Sequence, residues 1–343
     1  PMRIEFVDPS GYGLGLAIGL LELGHAVHYR AAERRRPPTE QQRTIDELRT
    51  RCFGPPRSGE RAHDLLVLVD VFADYLDCLR RRLPSREPVA ITHPLQDDAE
   101  HLVYPERLRY LLERAQSTER VAVVDMSDRH GERELAFELL PHATLFARET
   151  AGSGEGRWQA LPFLYNQFVL WLEHCRPPAD WWLAAERRAP QWDWLFCGTV
   201  DHARYGDRRR RVLSTLGERW PGARGAVLSG QPFAVVVGAL QSTRCGVDLP
   251  GEGELCFRLH ECLALGTPVW RPLATRGALP AGLAPVVHSD PAQLPTASPD
   301  EVRAVYLEHY APQAAAAALL RGVRSQAEPL TTSARTSTAP ARS

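Results

Sequence analysis

The chain has 343 residues, 44% of them hydrophobic, a formal net charge of −1 and a pI near 7.0. That length suits about two globular domains, and the near-zero charge speaks against a nucleic-acid binder, which carries a strongly basic field. All 41 basic residues are arginine, which excludes Schiff-base lysine chemistry and the lysine of a P-loop or protein kinase. An anionic ligand must then be held by guanidinium groups, backbone N–H groups or helix dipoles.

Residues 3–8, RIEFVD, read as a buried strand. GYGLG follows, then an apolar stretch of helical length, then the short strand HAVHY. Strand, glycine turn, helix, strand is the opening of a doubly wound α/β fold. The Arg-, Pro- and Glu-rich segment 31–62 predicts a loop with a surface helix around 39–51. DLLVLVD (64–70), PVAIT (88–92) and RVAVVD (120–125) predict further buried strands of a parallel sheet, and TLFARE (144–149) one more. The glycine-rich AGSGEGRWQA (151–160) and a tryptophan-bearing helical segment from about 164 to 188 mark a domain crossover.

A second α/β run follows. WLFCGT (194–199) is a strand, and DRRRRVLSTLGERW (207–220) is an amphipathic helix. ARGAVLS (223–229), RCGVDLP (244–250), TPVWRP (267–272) and APVVH (284–288) are strands alternating with helices, one around 254–265. A helix from about 299 to 325 closes the fold, and a polar tail predicts disorder. The expected units are 1–155, a linker 156–190, a second unit 191–325 and a tail 326–343. Seven cysteines without a CxxC pair suit a reducing cytoplasm better than a disulfide framework or zinc site. No apolar run approaches the roughly 18 residues that span a bilayer, and PMRIEFVDPSGYG lacks the apolar core of a signal peptide.

Open α/β sheets bind ligands outside the carboxyl ends of their strands. Two such units make a cleft that holds a donor on one side and an acceptor on the other. In the second half, CGTVDHARYGDRRRRVL, ALQSTRCGVDLPGEG and CFRLHECLALGTPVW resemble the donor domain of GT-B glycosyltransferases. The likeness is closest to the exostosin-like and spore-maturation-type group. The first half is similar in MRIEFVDPSGYGLG, VAVVDMSD and FARE leading to LPF, so the resemblance covers most of residues 2–325.

The resemblance implies two Rossmann-like α/β domains facing across a cleft. It also implies a UDP-, GDP- or dTDP-sugar as co-substrate, with no permanently bound cofactor and no metal. Gly251 and Gly253 let the backbone approach a diphosphate at a helix N-terminus. Arg258 adds a charge-assisted phosphate contact. Glu261, on the same helical face, matches the glutamate that holds the ribose. Gly198 and Thr199 match a turn set against the donor phosphates, though an ordinary strand exit explains them equally. Arg204 is a further phosphate candidate. Many retaining members carry a second glutamate where this chain has Gly253, which leaves the stereochemical outcome open.

On the acceptor side, Asp8, His93 and Asp125 sit at strand exits and are candidates for a general base; each also reads as a cap or turn residue. The turn Gly11, Tyr12, Gly13 is expected to meet the acceptor, a soluble small molecule such as a bacterial natural-product intermediate. Blander readings stand beside these. Arg258 and Glu261 also read as a surface i,i+3 salt bridge, and DRRRR (207–211) as a solvated helix face. Rival functions are an NAD(P)-dependent dehydrogenase, a sugar-nucleotide epimerase or hydrolase, and a non-catalytic binding protein. For the dehydrogenase, the GYGLG turn misses the G-x-G-x-x-G spacing.

Overall fold

The computed structural model describes residues 1–31, 33–34, 40–55, 62–72, 75, 78, 89–92, 100–126, 131–148, 158–161, 189–251, 257–272, 281–289 and 294–327. In chain order the first elements are β1 (Arg3–Asp8), α1 (Leu14–Glu22), β2 (Ala26–Ala31), β3 (Glu33–Arg34), α2 (Glu40–Phe53) and β4 (Leu65–Val69). There follow β5 (Val89–Thr92), β6 (Glu100–Val103), α3 (Pro105–Ser117), β7 (Val121–Asp125), α4 (Gly131–Leu139), β8 (Thr144–Ala147) and β9 (Trp158–Ala160). The second half comprises β10 (Trp192–Cys197), α5 (Gly206–Arg219), β11 (Gly225–Leu228), α6 (Phe233–Gln241), β12 (Thr243–Val247) and α7 (Phe257–Ala264). It ends with β13 (Val269–Trp270), β14 (Val287–His288), α8 (Pro299–Tyr310) and α9 (Pro312–Ala327).

Two parallel sheets carry the fold, in the orders β2-β1-β4-β7-β8-β9 and β11-β10-β12-β13-β14. Both have the first strand of the run inside its second, so the strand connections diverge beside it. The switch points lie between β1 and β4 and between β10 and β12, where an open sheet binds its ligand. These are the two Rossmann-like α/β sheets expected from the sequence.

The strands are buried because both sheet faces are covered. Every residue of LLVLV in β4 is 0% exposed. Leu65, Val67 and Val69 join a core with Ile4, Phe6 and α1, whereas Leu66 and Leu68 join the opposite core with Leu108, Leu111 and Val123. A period of two thus splits one apolar run between two cores. In the second sheet, Leu195 and Cys197 face α6 and α7, while Trp194 and Phe196 face α5 through Leu216 and Trp220.

Four sequence expectations change. PVAIT does not join the parallel sheet: β5 pairs antiparallel with β6 in a separate sheet of order β3-β6-β5. The stretch between β5 and β6 suits an antiparallel return and is too short for the crossover that a parallel pair needs. The strand β9 lies inside the segment expected to be the domain crossover, and it pairs with β8 of the first sheet. The helix expected over 299–325 is two helices, broken at Ala311 (φ −62, ψ 149) because Pro312 forces its predecessor out of the helical region. Finally, α9 packs in the core of the first sheet, where Ala315, Ala316, Leu319 and Val323 meet Ile4, Leu16 and Leu20. Thr144 Oγ1 donates to Gln326 Oε1 at 2.6 Å. The unit expected to end at 325 therefore gives its last helix to the first unit. Gln326 and Ala327, placed in the tail by the sequence, belong to α9; the helical crossover 164–188, residues 328–343, His93 and Gly253 lie outside the described residues. No helix among the described residues is long and apolar enough to cross a membrane.

Candidate functional site

The donor-side motif folds as its spacing requires. Cys262 on α7 packs against Gly246 in β12, where an added Cβ would lie 2.3 Å from the Cys262 Sγ. That missing side chain lets α7 lie directly on the strand. Gly266 (φ 75) ends the helix in the left-handed region, and the Thr267 hydroxyl donates to the Leu240 carbonyl at 2.9 Å. The first turn of α7 is thereby held beside the exits of β10 and β12.

Arg258 and Glu261 form an ion pair there, Arg258 Nη1 donating to Glu261 Oε2. It is no surface bridge: Glu261 is 7% exposed. Burial lowers the Arg258 pKa, but Glu261 and neighbouring anionic groups outweigh it and hold the guanidinium charged. Oε1 of the same carboxylate stays outside that pair. Asp248, just past β12, is 0% exposed with Arg271 Nη1 at 3.3 Å. Burial pushes the Asp248 carboxyl above its ordinary value, opposed by Arg271, Arg258 and Arg209. Among the described residues, the guanidiniums of Arg258, Arg271 and Arg209 thus surround the Asp248 and Glu261 carboxylates.

Arg209 corrects the reading of DRRRR as a solvated face. Arg208 and Arg211 are exposed, but Arg209 turns inward and is 8% exposed. It donates to Thr199 O at 2.7 Å, Pro250 O at 3.0 Å and Leu249 O at 3.1 Å. Its guanidinium also lies over the Tyr205 ring, 4.3 Å from the centroid. One side chain thereby ties the loop after β10, holding Gly198 and Thr199, to the loop after β12 that leads to Gly251. Only its place in a helical pattern marked Arg209 in the sequence: α5 starts at Gly206, where a Cβ would lie 2.5 Å from Val200 O. Arg204 is exposed in the loop before α5.

The first sheet's switch point is built differently. Asp8 is 0% exposed and accepts four hydrogen bonds. Its Oδ1 takes Ser10 Oγ and Gly11 N, each at 2.8 Å, and its Oδ2 takes Gly13 N at 2.8 Å and the Tyr29 hydroxyl at 2.5 Å. Burial pushes the Asp8 carboxyl up against the pull of these donors. Tyr12 is 3% exposed and belongs to the first core. A Cβ on Gly13 would meet Phe6 at 2.8 Å. The expected acceptor contacts Gly11, Tyr12 and Gly13, and the base candidate Asp8, instead form a closed scaffold. In this geometry the Gly11 and Gly13 N–H groups, which a dinucleotide fold would turn to a pyrophosphate, donate to Asp8.

Asp125 is 7% exposed and bonded to Arg133 Nε at 2.6 Å. Between Asp8 and Asp125, at the exit of β4, stands Asp70, which the sequence reading passed over although DLLVLVD ends like RVAVVD. Its φ is 52°, the one left-handed non-glycine residue among those described. Its Oδ1 accepts from Met126 N at 2.7 Å. Burial, then the charges of Asp125 and Asp8, push its carboxyl well above the ordinary range. Among the described residues no three His, Cys, Asp or Glu side chains converge as a metal site would need.

Two parallel α/β sheets with a motif-bearing switch point define the class of fold, and the chain has the following similarities to solved structures. The UDP-GlcNAc 2-epimerase of Methanocaldococcus jannaschii, in complex with UDP-GlcNAc and UDP, is 9% identical, with 94% of this chain and 99% of that chain covered at a TM-score of 0.36. The sucrose-phosphate synthase of Thermosynechococcus elongatus is 13% identical over 95% and 99%, at a TM-score of 0.38. Anabaena Alr3699/HepE in complex with UDP is 13% identical over 94% and 100%, at a TM-score of 0.40. No protein-family model matches the chain, and neither does any curated protein.

Proposed function

We propose that the chain is a glycosyltransferase that moves a sugar from a nucleotide-sugar donor to a small-molecule acceptor. The observation that carries this reading is the buried Arg258–Glu261 pair at the second switch point, with Arg209 and Arg271 beside it. Arg258 and the backbone of the Gly198–Thr199 and Gly251 loops receive the diphosphate. The free oxygen of Glu261 accepts from the ribose. Its spacing after Arg258 and the ALGTPV ending are the points of likeness to the exostosin-like and spore-maturation-type group. The five described cysteines are free thiols, which suits work in a reducing cytoplasm on a soluble acceptor.

The acceptor hydroxyl oxygen attacks the anomeric carbon as the bond to the phosphate oxygen breaks. The nucleoside diphosphate leaves with that electron pair, and the hydroxyl proton passes to a base. Asp8 is committed to its loop and Asp125 to Arg133. Asp70, whose carboxyl burial pushes well above the ordinary range at the exit of β4, is the member of that row assigned to receive the proton.

Melting-temperature shifts test the donor site. UDP, GDP or dTDP is expected to stabilise the chain and NAD(P) is not. Glu261→Ala is expected to weaken the nucleotide response through the lost ribose contact. A response to NAD(P) alone would sink the transferase reading. Turnover of the sugar nucleotide without acceptor would replace it with hydrolysis or epimerisation.

A further inference from the structure

A cavity of about 120 Å³ opens outside the carboxyl ends of β1 and β2, between the first sheet, β6 and α3. Of the sequence motifs, MRIEFVDPSGYGLG reaches it through Val7 and Pro9. Val7, Val71, Val103 and Leu108 give it apolar walls, and Arg30 and Arg107 line the same space. Arg30 pairs with Glu5 Oε1 at 2.7 Å, but Arg114 takes Oε2 of the same carboxylate at 2.7 Å. Burial alone would raise the Glu5 pKa; Arg114 and Arg30 outweigh it and hold the carboxylate ionised. Arg30 thus shares its carboxylate with Arg114 and keeps a guanidinium face on the cavity. On the other flank, the Arg107 guanidinium lies 4.1 Å from the centroid of the Tyr104 ring, a stack that fixes its plane.

Size narrows the ligand. An apolar cavity of roughly 150 Å³ admits benzene, so this one takes a single small ring or a branched aliphatic group, and no polycycle. We propose that the cavity binds a small apolar acid, its ring or branched chain on the valine and leucine wall and its carboxylate between Arg30 and Arg107. Lying at the strand exits of the first sheet, it is the seat of the acceptor. That last assignment rests on the transferase reading, whereas the binding itself does not.

The test uses the full chain and fluorine NMR, with 4-fluorobenzoate and its neutral counterpart 4-fluorobenzamide as probes. Both are expected to bind saturably, the acid about fivefold tighter, which is what one partly exposed ion pair supplies. Arg107→Met, at an exposed position of α3, is expected to erase that preference. Ala31→Phe, exposed at the end of β2, is expected to fill the cavity and abolish both signals. Melting curves establish that each variant is folded. Absence of saturable binding, equal affinity for acid and amide, or binding indifferent to both substitutions overturns the proposal. UDP is titrated in parallel. UDP binding without benzoate binding removes the cavity and leaves the transferase standing; benzoate binding without any nucleotide response does the reverse.

Discussion

Arg209→Met would remove the brace across the donor loops. Its three bonds run to Thr199 O, Pro250 O and Leu249 O. Leu249 and Pro250 are buried, whereas Thr199 is exposed and its carbonyl can turn to water. A hydrogen bond from a charged donor is worth about 1.5–3 kcal/mol. Losing the bonds to two buried carbonyls therefore costs about 3–6 kcal/mol, a large part of the roughly 5–15 kcal/mol that keeps a domain folded. Urea unfolding reads this directly as a lower midpoint. Arg208→Met, exposed on the same helix, is the control and should stay within about 0.5 kcal/mol. Arg209→Lys keeps the charge but not the planar fork, and is expected to recover little. A loss below about 1 kcal/mol in Arg209→Met, or full recovery by lysine, would refute the brace.

Two other substitutions probe the first sheet. Because burial raises the Asp70 pKa, the folded state holds a proton that the unfolded chain has lost above about pH 4. Stability from this group is present at low pH and declines as pH rises toward the folded value. Asp70→Asn mimics the protonated form and tolerates the left-handed backbone. It is expected to match the parent near pH 4 and exceed it at pH 8 while transferase activity falls; a variant less stable at pH 8 contradicts this account. Gly19→Ala is expected to cost about 1–3 kcal/mol in thermal or urea unfolding, since the new Cβ would lie 2.0 Å from the Pro312 carbonyl oxygen. A neutral result would mean that α1 and α9 slide apart easily.

The strands of both sheets were legible because they are buried on both faces. RIEFVD became Arg3–Asp8 without a shift, and RVAVVD became Val121–Asp125. What a run of apolar residues does not state is its partner, so PVAIT looked like another parallel strand until its short return to β6 decided otherwise. The donor motif was readable because glycine, arginine and glutamate at fixed spacing describe one local geometry. Arg209 and Asp70 were not, for opposite reasons. Arg209 hides among four consecutive arginines, and only the facing carbonyls, some 40 residues away, say which one turns inward. Asp70 owes its character to two other strand ends, a relation that exists only once β1, β4 and β7 lie side by side. The GYG turn misled because the partner that closes it, Asp8, looked like chemistry and is scaffolding.

The return of α9 to the first sheet bears on how the chain is made. As the ribosome releases residues 1–161, the face of the first sheet that Ala315, Ala316, Leu319 and Val323 will cover is still bare. At about 5–20 residues per second, the covering helix follows roughly 10–30 s later, after the entire second sheet has emerged. The half of the molecule synthesised first is therefore the half that finishes folding last, and during that interval its apolar face is open to chaperones.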